Sequence, residues 1–98
     1  MIRLFALLIA AAPVAADPLF EDRSAGLPEH IYGGEWEHFV GGGVAVFDCN
    51  GDALPDLFAA GGANPAQLMV NHGDFTFARH DIPMLTGVTG AYPLDVNA

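Results

Sequence analysis

The sequence predicts an all-β chain: antiparallel four-stranded blade(s), one complete and a second only begun. Three observations predict it. From residue 43 onward, short apolar segments alternate with turns rich in Gly, Pro, Asn and Asp, and none is long enough for a helix. One of them, "FTFARH" at 75–80, alternates with period two. Finally, "VAVFDCN" at 44–50 recurs as "AYPLDVN" at 91–97, each an apolar residue followed by Asp, any residue and Asn, with Asp48 and Asp95 47 positions apart. A period of roughly 40–50 residues with about four strands per unit is the pattern of a β-propeller blade array. A chance recurrence of D-x-N is the competing explanation.

Taken in order, residues 1–16 read as a secretory signal. Arg3 supplies the positive n-region, 4–12 the apolar run, and Val14 and Ala16 the small residues of an A-x-A-like cleavage site, leaving Asp17 first. The apolar run falls short of the ~20 residues that a membrane span needs. Residues 17–42 form an irregular lead-in whose Gly and Pro content opposes any helix of useful length. The first repeat covers 43–90. Its strands are expected at 43–47, 57–60, 67–71 and 75–80, joined by an acidic loop at 48–56, the turn "GGANPA" and the turn "HGD". Phe75 and Phe77 are expected on one face of the last strand. Residues 91–98 begin a second repeat that stops in its loop.

Composition narrows the functional classes. With 3 basic and 12 acidic residues, the chain has a formal charge of −9. Such a surface repels phosphate backbones and anionic lipid, so no nucleic acid partner and no membrane span are expected. A hydrophobic fraction of 52% is too high for a disordered chain, even with 12 Gly and 7 Pro. The single cysteine, Cys49, allows no disulfide within the chain. It is expected either as a buried apolar residue or as a thiol whose partner lies elsewhere.

The acidic loop "VFDCNGDALPDLF" carries the clearest chemistry. Asp48, Asn50, Asp52 and Asp56 place hard oxygen donors at alternate positions with one longer gap, and Leu54 can add its backbone carbonyl. Ca²⁺ takes six to eight such oxygens, and a short loop supplies most of them when alternate residues turn inward. Cys49, between two of these positions, is expected to point away, and a soft thiolate suits another class of metal. An EF-hand is excluded. Its twelfth loop position requires a bidentate Glu, whereas here Ala59 stands there between strand-like flanks. The second copy offers only Asp95 and Asn97 and is an incomplete site.

This loop resembles the Asp-rich loop of FG-GAP or VCBS-type repeats, and "NHGDFTF" at 71–77 resembles the turn that follows it in those repeats. The lead-in through "HIYGGEWEHFVGGGVAVFDCNGD" resembles bacterial members of the cartilage acidic protein (ASPIC/UnbV-containing) family. The resemblance spans about residues 19–98. It implies an integrin-α-like, seven-bladed β-propeller with calcium in its blade loops, exported to the periplasm or medium and binding a protein or carbohydrate ligand. Two departures stand out. Ala53 occupies a position where the repeat has Gly and where a positive φ is expected, at a cost of about 1 kcal/mol. Asp74 runs directly into Phe75, again without the usual Gly. A single blade leaves edges and an apolar face uncovered, so the chain reads as the amino-terminal fragment of a longer product or as a shortened remnant. A complete small sandwich of four or five strands is the alternative.

The remaining constellations are weaker. Glu29, His30, Glu35, Glu37 and His38 cluster in "EHIYGGEWEH", but His30 and His38 lack the spacing of a helical or zinc pair. They are expected to hydrogen-bond backbone at the entrance to the first blade, and Tyr32, Trp36 and Phe39 to pack in the core, with an exposed sugar-binding platform as the alternative. His72 and His80 have no partner pattern. The "GGG" at 41–43 precedes a strand, so it lacks the helix N-terminus of a phosphate cradle. No residue set supports an enzyme. The expected function is therefore a calcium-stabilised, exported ligand-binding scaffold. The rival reading is the scaffold of a propeller enzyme with its catalytic residues further along.

Overall fold

The computed structural model describes residues 9–13 and 16–97. Arg3, Val14 and most of the apolar run of the expected signal lie outside them, as does Ala98. Over the described residues the chain is all-β, a four-stranded antiparallel meander in the order β1-β2-β3-β4, with β1 at Val44–Phe47, β2 at Asp56–Ala59, β3 at Gln67–Asn71 and β4 at Phe77–His80. This open sheet is consistent with a propeller blade. Two short 3₁₀ turns, Ser24–Gly26 and Trp36–His38, interrupt the irregular lead-in.

Four boundaries differ from expectation: β1 starts one residue late, β2 starts and ends one residue early, and β4 starts two residues late. Two of these have a clear local reason. Asp56, expected to close the acidic loop, is the first residue of β2 and pairs with Phe47 across the ladder. At the other end, β4 begins at Phe77 because Asp74 and Phe75 both adopt positive φ, +51° and +56°. They are the central pair of a tight turn in which the Thr76 N–H donates to the Gly73 carbonyl at 3.0 Å. Two left-handed central residues give the chain the twist that joins antiparallel neighbours without splaying them. Phe75 is therefore a turn residue, 59% exposed, and does not share a strand face with Phe77.

The register divides the side chains between two apolar faces. Ala45, Phe58 and Leu68 are cross-strand partners on one face, continued by Phe47 and Val70; Val46, Leu57 and Met69 align on the other. The buried apolar residues are small apart from one: Ala45, Ala59, Ala60, Ala66 and Met69. Apolar residues on both faces characterise a sheet made to be covered on both sides. Here β1 remains an edge, with Val44 58% and Val46 55% exposed.

The lead-in and the tail meet the sheet at the turn after β2. Gly62 bridges Gly33 in parallel and Val88 antiparallel. Gly62 has φ +64°, and a Cβ there would lie 2.3 Å from the Gly33 carbonyl oxygen, so glycine is required for the crossing. His30 Nε2 contacts the Ala60 carbonyl at 2.7 Å, the backbone role expected for it. Residues 90–97 form no strand. They border a cleft of about 830 Å³ whose other wall is Ala45, Phe47 and Phe58. Gly43 and Gly90, one 47-residue period apart, approach so closely that a Cβ on Gly43 would lie 2.9 Å from the Gly90 Cα.

Candidate metal centre

The loop between β1 and β2 folds around its own acidic side chains. Asp48, directly after β1, accepts from Gly51 N–H (2.8 Å) and Asp52 N–H (3.3 Å) through Oδ1, and from Ala53 N–H (2.8 Å) through Oδ2. Asn50 Oδ1 accepts from Asp52 N–H at 3.3 Å, and Asp52 Oδ1 from Leu54 N–H at 2.9 Å. Asp and Asn are suited to this work because their short side chains reach backbone donors a few residues ahead. The last of these contacts to Asp48 requires a reversal of the chain. Ala53 has φ +66°, the positive value expected from its place in the loop.

Asp56 holds the loop to the sheet. It is fully buried, and its carboxylate accepts Cys49 N–H through Oδ2 and Asn71 N–H through Oδ1, both at 2.8 Å. The Asn71 hydrogen bond is the main influence lowering its pKa, followed by the bonds from the Cys49 thiol and N–H, against the opposing effect of burial. Asp56 therefore stays anionic in the folded chain. Asn71 is itself tied on three sides. Besides its N–H, its Nδ2 donates to the Pro55 carbonyl at 3.0 Å and its Oδ1 accepts from Gly73 N–H at 2.8 Å. This hub escapes sequence reading, in which Asn71 is only the last residue of a strand and the first of a turn motif. Its one signal is an Asn at the end of a strand and two residues before a Gly.

The outcome brings three of the expected ligands together. Carboxylate oxygens of Asp48, Asp52 and Asp56 lie within 4.8 Å of one another. These are hard, anionic donors, and each oxygen that accepts one N–H keeps a second lone pair. The set therefore fits a hard divalent cation and suits a soft one poorly. Asn50 Oδ1 is turned to the loop backbone. Asp95 and Asn97 are not part of this group; the Asp95 carboxylate accepts Asn97 N–H at 3.2 Å in the segment bordering the cleft.

Several expectations need correction. Of the two places expected for Cys49, the buried one is excluded, since the residue is exposed. Interaction with Asp56, and secondarily burial and the carboxylate's charge, raise the pKa of its thiol. Trp36 and Phe39 are not core residues. They are 79% and 68% exposed and stack on each other, ring centroids 4.5 Å apart at 10°. The cause is topological, since the turn Trp36–His38 precedes the sheet and contributes no strand to it. Among the described residues, the histidines and glutamates of 29–38 form no cluster of three potential metal ligands. His38 Nδ1 stands 3.7 Å from Glu37.

Among the described residues no helix is long and apolar enough to cross a membrane. Comparison with protein-family models, with curated proteins and with solved structures finds no match.

Proposed function

We propose that this chain is part of an exported scaffold of FG-GAP or VCBS type, in which a calcium ion stiffens the loop between β1 and β2 so that the blade presents a binding surface. The observation carrying the reading is the convergence of Asp48, Asp52 and Asp56 within 4.8 Å in a single loop. Three carboxylates at that separation repel one another, and a divalent cation would relieve the repulsion. Asp48, Asp52 and Asp56 would hold the ion, with Asn50 and the Leu54 carbonyl as the further oxygens of the loop. The role assigned to the ion is structural. The close approach of Gly43 and Gly90 supports the repeat, because it brings the two ends of the first unit together.

The test is thermal unfolding of the chain with added Ca²⁺ and with EDTA, for the wild type and for Asp48→Ala. Ca²⁺ should raise the wild-type midpoint in a concentration-dependent way, as binding to the native state alone requires, and leave the variant unmoved. Equal midpoints in Ca²⁺ and EDTA for the wild type would refute it.

A further inference from the structure

The acidic loop leaves unexplained a stacked, exposed aromatic pair in the lead-in. Trp36 and Phe39 are stacked nearly parallel and form an exposed plate. Glu35 and Glu37, both exposed, flank Trp36 in the sequence, and Val40, beside Phe39, is 67% exposed. The chain carries −9 overall and contains no lysine. Of the arginines among the described residues, Arg23 pairs with Glu21 at 2.9 Å and lies 5.1 Å above the Phe75 ring, while Arg79 donates to the Glu29 carbonyl. Neither serves the Trp36 plate.

We infer that this plate is a docking surface for an arginine-bearing segment of a partner protein. The argument is charge complementarity combined with shape. An exposed π-face on a turn whose adjoining residues Glu35 and Glu37 are exposed carboxylates attracts a cation, and Trp is the best of the aromatic faces for it. A guanidinium is planar, so it can continue the stack as a third layer and keep N–H groups free for the carboxylates of this turn, which a compact ammonium does less well. Val40 offers apolar surface to the methylene stem. The Arg23–Phe75 contact is the same interaction made within the chain.

Trp36 is the only tryptophan, so its fluorescence reports on the site directly. The full chain would be titrated with a short amidated arginine–glycine peptide at low salt, and with the same peptide carrying citrulline, a neutral isostere of arginine. Saturable change in Trp36 emission is expected with the arginine peptide only. The double variant Glu35→Gln, Glu37→Gln should weaken it about fivefold, the size of a modest exposed cation–π and ion-pair contribution. Asp74→Asn, a charge change on the turn after β3, should leave it unaltered. Equal response to the citrulline peptide would overturn the inference, as would a response to neutral oligosaccharides that exceeds the response to arginine. Equal weakening by Asp74→Asn would also overturn it, because binding would then follow net charge alone.

Discussion

The positive φ of Ala53 can be tested by one substitution made at two places. At φ +66° an alanine Cβ crowds its own carbonyl, at a cost of about 1–2 kcal/mol relative to the right-handed region. The loop bears this cost because the reversal delivers the Ala53 N–H to Asp48 at 2.8 Å. Ala53→Gly removes the strain but makes the unfolded chain more flexible, which returns about 0.4–1 kcal/mol. The net expectation is a gain of roughly 0.5–1 kcal/mol. Ala78 in β4 is also exposed, has no positive φ and pairs with Val70, so Ala78→Gly should lose about 0.5–1 kcal/mol. Both variants loosen the unfolded state alike, and that effect cancels in their difference. What remains is about 1–2 kcal/mol, or a gap of roughly 4–12 °C between the two midpoints for a chain of this size. Thermal melts followed by far-UV circular dichroism, in EDTA so that no ion contributes, would measure it. If Ala53→Gly lowers the midpoint as far as Ala78→Gly does, the loop does not hold Ala53 in the left-handed region and the account of Asp48 fails.

Other outcomes follow from the hub and the glycines. Asp56→Ala should erase the cooperative unfolding transition, whereas Asp52→Ala, which loses one exposed hydrogen bond, should keep it; urea titration separates the two. The pKa of Asp56 is lowered from an ordinary 3.8, so its contribution to stability is complete above that value and is lost as pH falls through the lower folded value. Urea midpoints measured from neutral pH to below 3.8 should fall at the acid end for the wild type, and less steeply for Asp56→Asn. Gly62→Ala forces a Cβ against the Gly33 carbonyl at positive φ and should cost about 2–3 kcal/mol, read from the denaturant midpoint; a neutral result would contradict the crossing at Gly62.

Much of this molecule is local and therefore legible in the chain. Strands of four or five residues, the turns between them, the inward Asp48 and the reversal at Ala53 all depend on neighbours within a few positions, so residue type and spacing suffice to place them. Phe75 shows the limit even at short range. Its alternation with Phe77 has the look of a strand, yet the tight closure from Gly73 to Thr76 forces it to positive φ.

The rest was decided by contacts between distant residues. Burial of Asp56 and its bond to Asn71, 15 positions away, arise only when β2 and β3 pair; a carboxylate that reads as the end of a loop becomes the link between two turns. Trp36 and Phe39 look like core residues by composition, but the sheet excludes them, and exposure is a property of topology rather than of side-chain type. Gly43 and Gly90 carry no signal singly. Their significance appears when the tail returns across β1 and two backbones meet with no room for a Cβ. Short-range chemistry can be written in a sequence because the chain itself fixes those distances. Long-range packing cannot be read residue by residue, because each distance depends on how every intervening turn has folded.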